Sequence, residues 1–128
     1  MIKIVRSKDC GNSPKNKFVE ELEIALAKRD VEFLLNSVTD DIHWNIVGQK
    51  SVRGRDEFLE ALKRIPRPSE VTEIFIKHVV THGKAGSVNG VCRRQGGKTY
   101  DFCTVYEFGS AKGVNVREIT HYEIEMPG

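Results

Sequence analysis

The 128-residue chain is 39% hydrophobic and 30% charged, with 20 basic against 18 acidic side chains for a formal charge of +2. That length supports one domain with a core of its own, and that composition excludes a disordered chain. The charges interleave without a polybasic run, which argues against nucleic acid or an anionic membrane as a partner.

The opening MIKIVRSKD holds too short an apolar segment for a signal peptide, and nothing later reaches the length of a membrane span. Residues 1–12 read as a flexible tail or a stray edge strand. Ser13-Pro14 then supplies an N-cap and a proline at the first helical position. Phe18, Val19, Leu22, Ala25 and Leu26 follow at helical spacing. Asp30 caps a second, short helix carrying Val31, Phe33, Leu34 and Leu35. In TDDIHWNIVG, residues 39–48, strand alternation puts Ile42, Trp44 and Ile46 on one face and His43, Asn45 and Val47 on the other. RGRDEF leads into a third helix with Phe58, Leu59, Leu62 and Ile65 on its stripe, stopped by Pro66 and Pro68. Everything after Ser69 reads as strand: TEIFIKHVVTH, AGSVNGVCRRQ, KTYDFCTVYEF and NVREITHYEIE, joined by Gly-containing turns. Helices first and hairpin-linked strands afterwards predict a single α+β domain with a mostly antiparallel sheet.

The order of AKRDVEFLLNSVTDDIHW, the GRDEF helix start and the strand pair YDFCTVYEF…REITHYEI resembles the nuclear transport factor 2-like superfamily. Ketosteroid isomerase, the SnoaL-type polyketide cyclases and limonene epoxide hydrolase belong to that group. The resemblance spans residues 14 to 125 and implies a cone-shaped fold, three helices closing a curved sheet over a pocket, and homodimers formed through the sheet face. It also implies what is missing. The isomerase base falls on Ile46, its oxyanion tyrosine on Leu22 and its protonated aspartate on Thr104. None of these can fill the role, so ketosteroid isomerase chemistry is excluded from the expectation.

A two-residue Gly96-Gly97 loop would pair Gln95 with Lys98, Arg93 with Tyr100, Val91 with Phe102 and Asn89 with Thr104. Cys92 and Cys103 would then sit diagonally on the opposite face, too far apart for an easy disulfide. The resemblance turns Thr104 toward the pocket, and with it the paired set, and turns Ile119, His121 and Glu123 inward on the last strand. The expected pocket therefore has polar groups Asn89, Arg93, Tyr100, Thr104, His121 and Glu123. Its apolar wall is Trp44, Ile46, Val91, Phe102 and Ile119, a mixture suited to a small molecule. A slip of one residue in that pairing would turn the set outward.

His121 falls at or near an acid–base aspartate of some cyclases and of the epoxide hydrolase, and imidazole can serve as a base at neutral pH. The competing reading is a wall histidine satisfied by Thr104, Asn89 or water. Tyr100 and Arg93 are the candidate oxyanion partners, and both could equally sit at a wet rim. His78 and His82 would lie about 13 Å apart on a strand, so no metal site is expected. No phosphate-binding glycine motif occurs, and no cofactor is expected. The odd count of cysteines, Cys10 included, reads as reduced thiols of a cytoplasmic protein. Cys92, Asp101, Cys103, Val105, Thr120, Tyr122 and Ile124 on the outer sheet face suit a dimer contact. Three functions stay open: a cofactor-free cyclase, isomerase or dehydratase with His121 as base; a non-catalytic ligand-binding or sensing module; and a protein-interaction domain.

Overall fold

In the computed structural model, which describes residues 2–6, 13–64, 70–111 and 115–127, local sequence signals set most element boundaries. Strand β1 (Lys3–Val5) precedes helix α1 (Pro14–Lys28) and helix α2 (Val31–Asn36). Strands β2 (Val38–Ile46) and β3 (Lys50–Arg53) lead to helix α3 (Arg55–Arg64), and strands β4 (Val71–His82), β5 (Ala85–Arg94), β6 (Thr99–Phe108) and β7 (Val116–Glu125) follow. The Ser13 hydroxyl accepts from the Lys15 and Asn16 N–H groups, and Asp30 accepts from Phe33 N–H, so both predicted caps satisfy orphan donors. Ile65, Pro66 and Pro68 lie outside the described residues.

The seven strands form one sheet in the order β1-β4-β5-β6-β7-β2-β3. The β1–β4 and β2–β7 contacts are parallel and the rest antiparallel. Two short strands stand beside the elements given bounds from the sequence, the first of them the edge strand that was one of the two N-terminal readings. Lys3–Val5 is an edge strand beside β4, and Arg6 just beyond it pairs with the buried Glu20 of α1 at 2.6 Å. Of the tail reading, residues 7–12 lie outside the described residues. The second is β3, four residues that the sequence reading passed over, hairpinned onto β2 and burying Val52.

The sheet curves over the helices. A bulge interrupts β4 between Ile76 and His78, opposite Gly90 on β5. There the two backbones come so close that a Cβ on Gly90 would stand 1.9 Å from the Phe75 carbonyl oxygen, so only glycine fits. Val19, Leu22 and Leu26 of α1, Phe58 and Leu62 of α3, and the inward side chains of β4 to β7 fill the concave side. Leu22, at the isomerase tyrosine position, is completely buried in this core. No helix among the described residues is long and apolar enough to cross a membrane.

Candidate functional site

The open end of the cone holds a cavity of about 120 Å³. Alternation along β6 turns Phe102, Thr104 and Tyr106 inward, and along β7 it does the same for Ile119, His121 and Glu123. Trp44, Ile46, Phe102, His121 and Glu123 of the expected set line the cavity. Thr104 and Ile119 are fully buried on the same side, Thr104 behind His121 and Ile119 beside Trp44 in the β2–β7 register.

The expected β5–β6 register is one residue out. Arg94, not Gln95, stands opposite Lys98, because the loop has three residues rather than two. The Gly97 N–H donates to the Arg94 carbonyl, and Gly96 and Gly97 both take positive φ, 97° and 90°, a tight turn followed by a glycine bulge. The pairs are consequently Arg93 with Thr99, Cys92 with Tyr100, Gly90 with Phe102 and Val88 with Thr104. Asn89, Val91 and Arg93 face outward. Asn89 meets His78 across the outer face at 3.1 Å, and Arg93, with a side chain 57% exposed, reaches Glu73 at 3.7 Å. Arg94 and Cys92 replace them in the cavity wall. Tyr100 carries the Arg94 guanidinium over its ring at 5.3 Å and does not itself line the cavity.

Two carboxylates face each other's neighbourhood in that wall. Glu123 accepts from Arg94 through Nη2 at 2.8 and 2.7 Å and through Nε at 3.2 Å, and its Oε1 lies 3.2 Å from His121 Nε2. A carboxylate can only accept, so in this arrangement Nε2 carries a proton. The other nitrogen, Nδ1, shares a 2.7 Å hydrogen bond with the Thr104 hydroxyl, which can donate to a neutral ring or accept from a charged one. The unliganded imidazole thus has both nitrogens engaged, and its ring stacks on Phe102. Burial alone would lower the His121 pKa, but the Glu123 hydrogen bond and the negative charges of Glu23 and Glu123 outweigh it, and the net shift is upward. Burial raises Glu123, but His121 and Arg94 overcome that and hold it below the usual carboxylate value. Cys92, whose thiol lies 3.7 Å from Glu123, is pushed up to about 12 by burial and by that carboxylate, so it is no nucleophile.

Glu23 is the group that the sequence reading missed. It is 3% exposed on α1, lines the cavity, and accepts a 2.8 Å hydrogen bond from the fully buried Tyr106 hydroxyl. Burial, then the charge of Glu23 and this hydrogen bond, hold the Tyr106 phenol well above its usual range. The signal was present: Glu23 interrupts the apolar stripe at the fourth residue after Val19 and the third before Leu26, where solvated carboxylates do not belong. Trp44 packs edge-on to Phe58 at 5.5 Å, with the Arg29 guanidinium 5.5 Å from its ring centroid. Its Nε1–H is enclosed and has no hydrogen-bond partner among the described residues. No group of three or more His, Cys, Asp or Glu among those residues could hold a metal ion.

The fold has solved counterparts. An LEH-like epoxide hydrolase of M. tuberculosis superposes with a TM-score of 0.65 at 19% identity, covering 84% of this chain and 80% of its own. A protein of Shewanella putrefaciens CN-32, named as a candidate SnoaL-like polyketide cyclase, gives a TM-score of 0.73 at 13% identity, over 89% and 92% of the two chains. An NTF2-like protein of unknown function from Burkholderia pseudomallei K96243 gives 0.69 at 18%, over 85% and 89%. At such identities these likenesses establish the cone fold alone. No curated protein matches the chain. The family model of the SnoaL-like domain matches residues 18–124, from the first turns of α1 to the end of β7, and the chain belongs to the SnoaL-like domain family.

Proposed function

We propose that the protein binds a small, largely apolar molecule carrying an oxygen function in the cone cavity and moves a proton on it without a cofactor, with His121 as base. The observation that carries this reading is the Thr104–His121–Glu123 chain at the cavity wall. The Glu123 contact is the longer of the two, at 3.2 Å. A ligand that displaces it exposes Nε2; when the charged ring gives its Nε2 proton to solvent, the neutral imidazole keeps Nδ1–H, which donates to the Thr104 hydroxyl, and Nε2 is left with a free lone pair. The imidazolium formed by proton uptake then rests beside a carboxylate that Arg94 still holds. The names of two structural neighbours, an epoxide hydrolase and a candidate polyketide cyclase, agree with an oxygenated organic substrate. The test is conversion by purified protein of a compound shown to bind. His121→Ala is expected to cut turnover by a factor of about 10² to 10⁴ with binding kept, and unchanged turnover refutes the base.

A second reading, a non-catalytic ligand-binding module, is favoured by one observation: both nitrogens of His121 are already engaged in the unliganded protein. Saturable binding without product for any bound compound would decide for it.

The same domain is proposed to form homodimers through the outer sheet face. Val105, Tyr122 and Ile124 are exposed there, and apolar side chains grouped on a strand surface support a protein contact. Ile124→Asp should convert a dimer to a monomer in sedimentation velocity; a wild-type monomer at micromolar concentration refutes the proposal.

A further inference from the structure

The cavity wall holds two carboxylates, Glu23 buried and Glu123 half-buried, and among the described residues only Glu123 is matched by a cation. Glu123 has Arg94 and His121. Glu23 has the Tyr106 hydroxyl on Oε1, and its other oxygen has no hydrogen-bond or ion-pair partner among the described residues. Glu23 is 3% exposed and lines the cavity, so what accessibility its carboxylate keeps is toward the cavity, and an occupant can supply the donor that its second oxygen lacks. From the geometry we infer that Glu23 is the anchoring acceptor for the ligand. The cavity is then selective for a molecule presenting a hydroxyl, phenolic or enolic, on an apolar frame of about one ring.

Three features converge on that class. The Tyr106 hydroxyl fixes one Glu23 oxygen from behind, so the carboxylate cannot turn away, and the remaining oxygen belongs to a lining residue. The volume of about 120 Å³ is near that of an engineered apolar cavity of about 150 Å³ that takes up benzene, so a single ring fits and anything longer projects from the mouth. Glu23 and His121 both line this one cavity, which puts the two groups on the same small space. A hydroxyl held by Glu23 therefore carries the attached ring toward the imidazole.

This assignment rests on the ligand-binding reading, and the test separates the two. Calorimetric titration of para-cresol and of its methyl ether compares a donor with a shape that can only accept. Wild-type protein should bind the phenol at least about tenfold more tightly, the discrimination of one hydrogen bond to a charged group. In Glu23→Gln the Tyr106 hydroxyl retains the amide oxygen and turns the NH₂ to the cavity, so the ratio should fall to about one or invert in favour of the ether. Equal affinities in wild type, or a phenol preference that survives Glu23→Gln, overturn the Glu23 assignment and leave the cavity reading standing. Binding of neither compound to wild type overturns both.

Discussion

Glu23 and Glu123 occupy the same cavity wall, are of one residue type and are both nearly inaccessible, yet their surroundings differ in kind. Glu123 is saturated: Arg94 grips both oxygens and His121 sits on one of them. Glu23 is half-satisfied by a neutral hydroxyl. A buried carboxylate held by a cation is part of the scaffold, because removing either partner strands the other charge. One with an oxygen left over is available to a ligand. Under the proposed function, the contrast puts architecture and proton handling on the strand side of the cavity and ligand capture on the helix side.

The largest effects should come from breaking the saturated carboxylate. Glu123→Gln removes the carboxylate charge that Arg94 grips with its Nε and Nη2, and should cost about 3 kcal/mol in urea unfolding. Arg94→Met should cost a similar amount. Arg93→Met, which touches only a half-solvated pair on the outer face, should cost under about 1 kcal/mol. Equal losses at the two arginines would contradict the three-residue turn. Tyr106→Phe sharpens the comparison from the other side. It strips Glu23 of its one donor and should cost about 1–3 kcal/mol, measured the same way.

The smallest effect is in the pH dependence. His121 is raised above the ordinary 6.5, so its contribution to stability is complete below that value and is lost as pH climbs through the folded-state pKa. Glu123 is lowered below the ordinary 4.5, so its contribution is present above 4.5 and is lost as pH falls through its own folded-state pKa. Together the pair stabilises most between 4.5 and 6.5. Unfolding midpoints measured across pH should show His121→Gln removing the decline above 6.5 and shrinking, without abolishing, the acid limb, which Arg94 still supports.

Much of this was legible in the residues. Caps at Ser13 and Asp30, the stripes of α1 and α3 and the alternation of β6 and β7 are local patterns with local causes; alternation groups Phe102 with Thr104 and His121 with Glu123, and the family resemblance turned those faces inward. What failed was a single count at Gln95-Gly96-Gly97. Two glycines together suggested a two-residue turn, but the hydrogen bonding takes Gln95 into the loop. Because the side-chain period of a strand is two, that one residue exchanged the set Asn89, Val91 and Arg93 for the set Val88, Gly90, Cys92 and Arg94 on the inner face. Strand β3 escaped because four residues with one buried valine carry too little periodicity to register. Glu23 was readable as a carboxylate in an apolar stripe, but its role depends on Tyr106, eighty-three residues away in the chain, a pairing that only tertiary structure brings about.

The most direct test of the account uses Trp44, the only tryptophan, which is 3% exposed at the wall of the cavity. Its emission should be blue-shifted and poorly quenched by acrylamide, and should change saturably as para-cresol is titrated into the protein. An emission freely quenched by acrylamide, or one that responds to the phenol only linearly and without saturation, would contradict the claim that the cone encloses a ligand cavity.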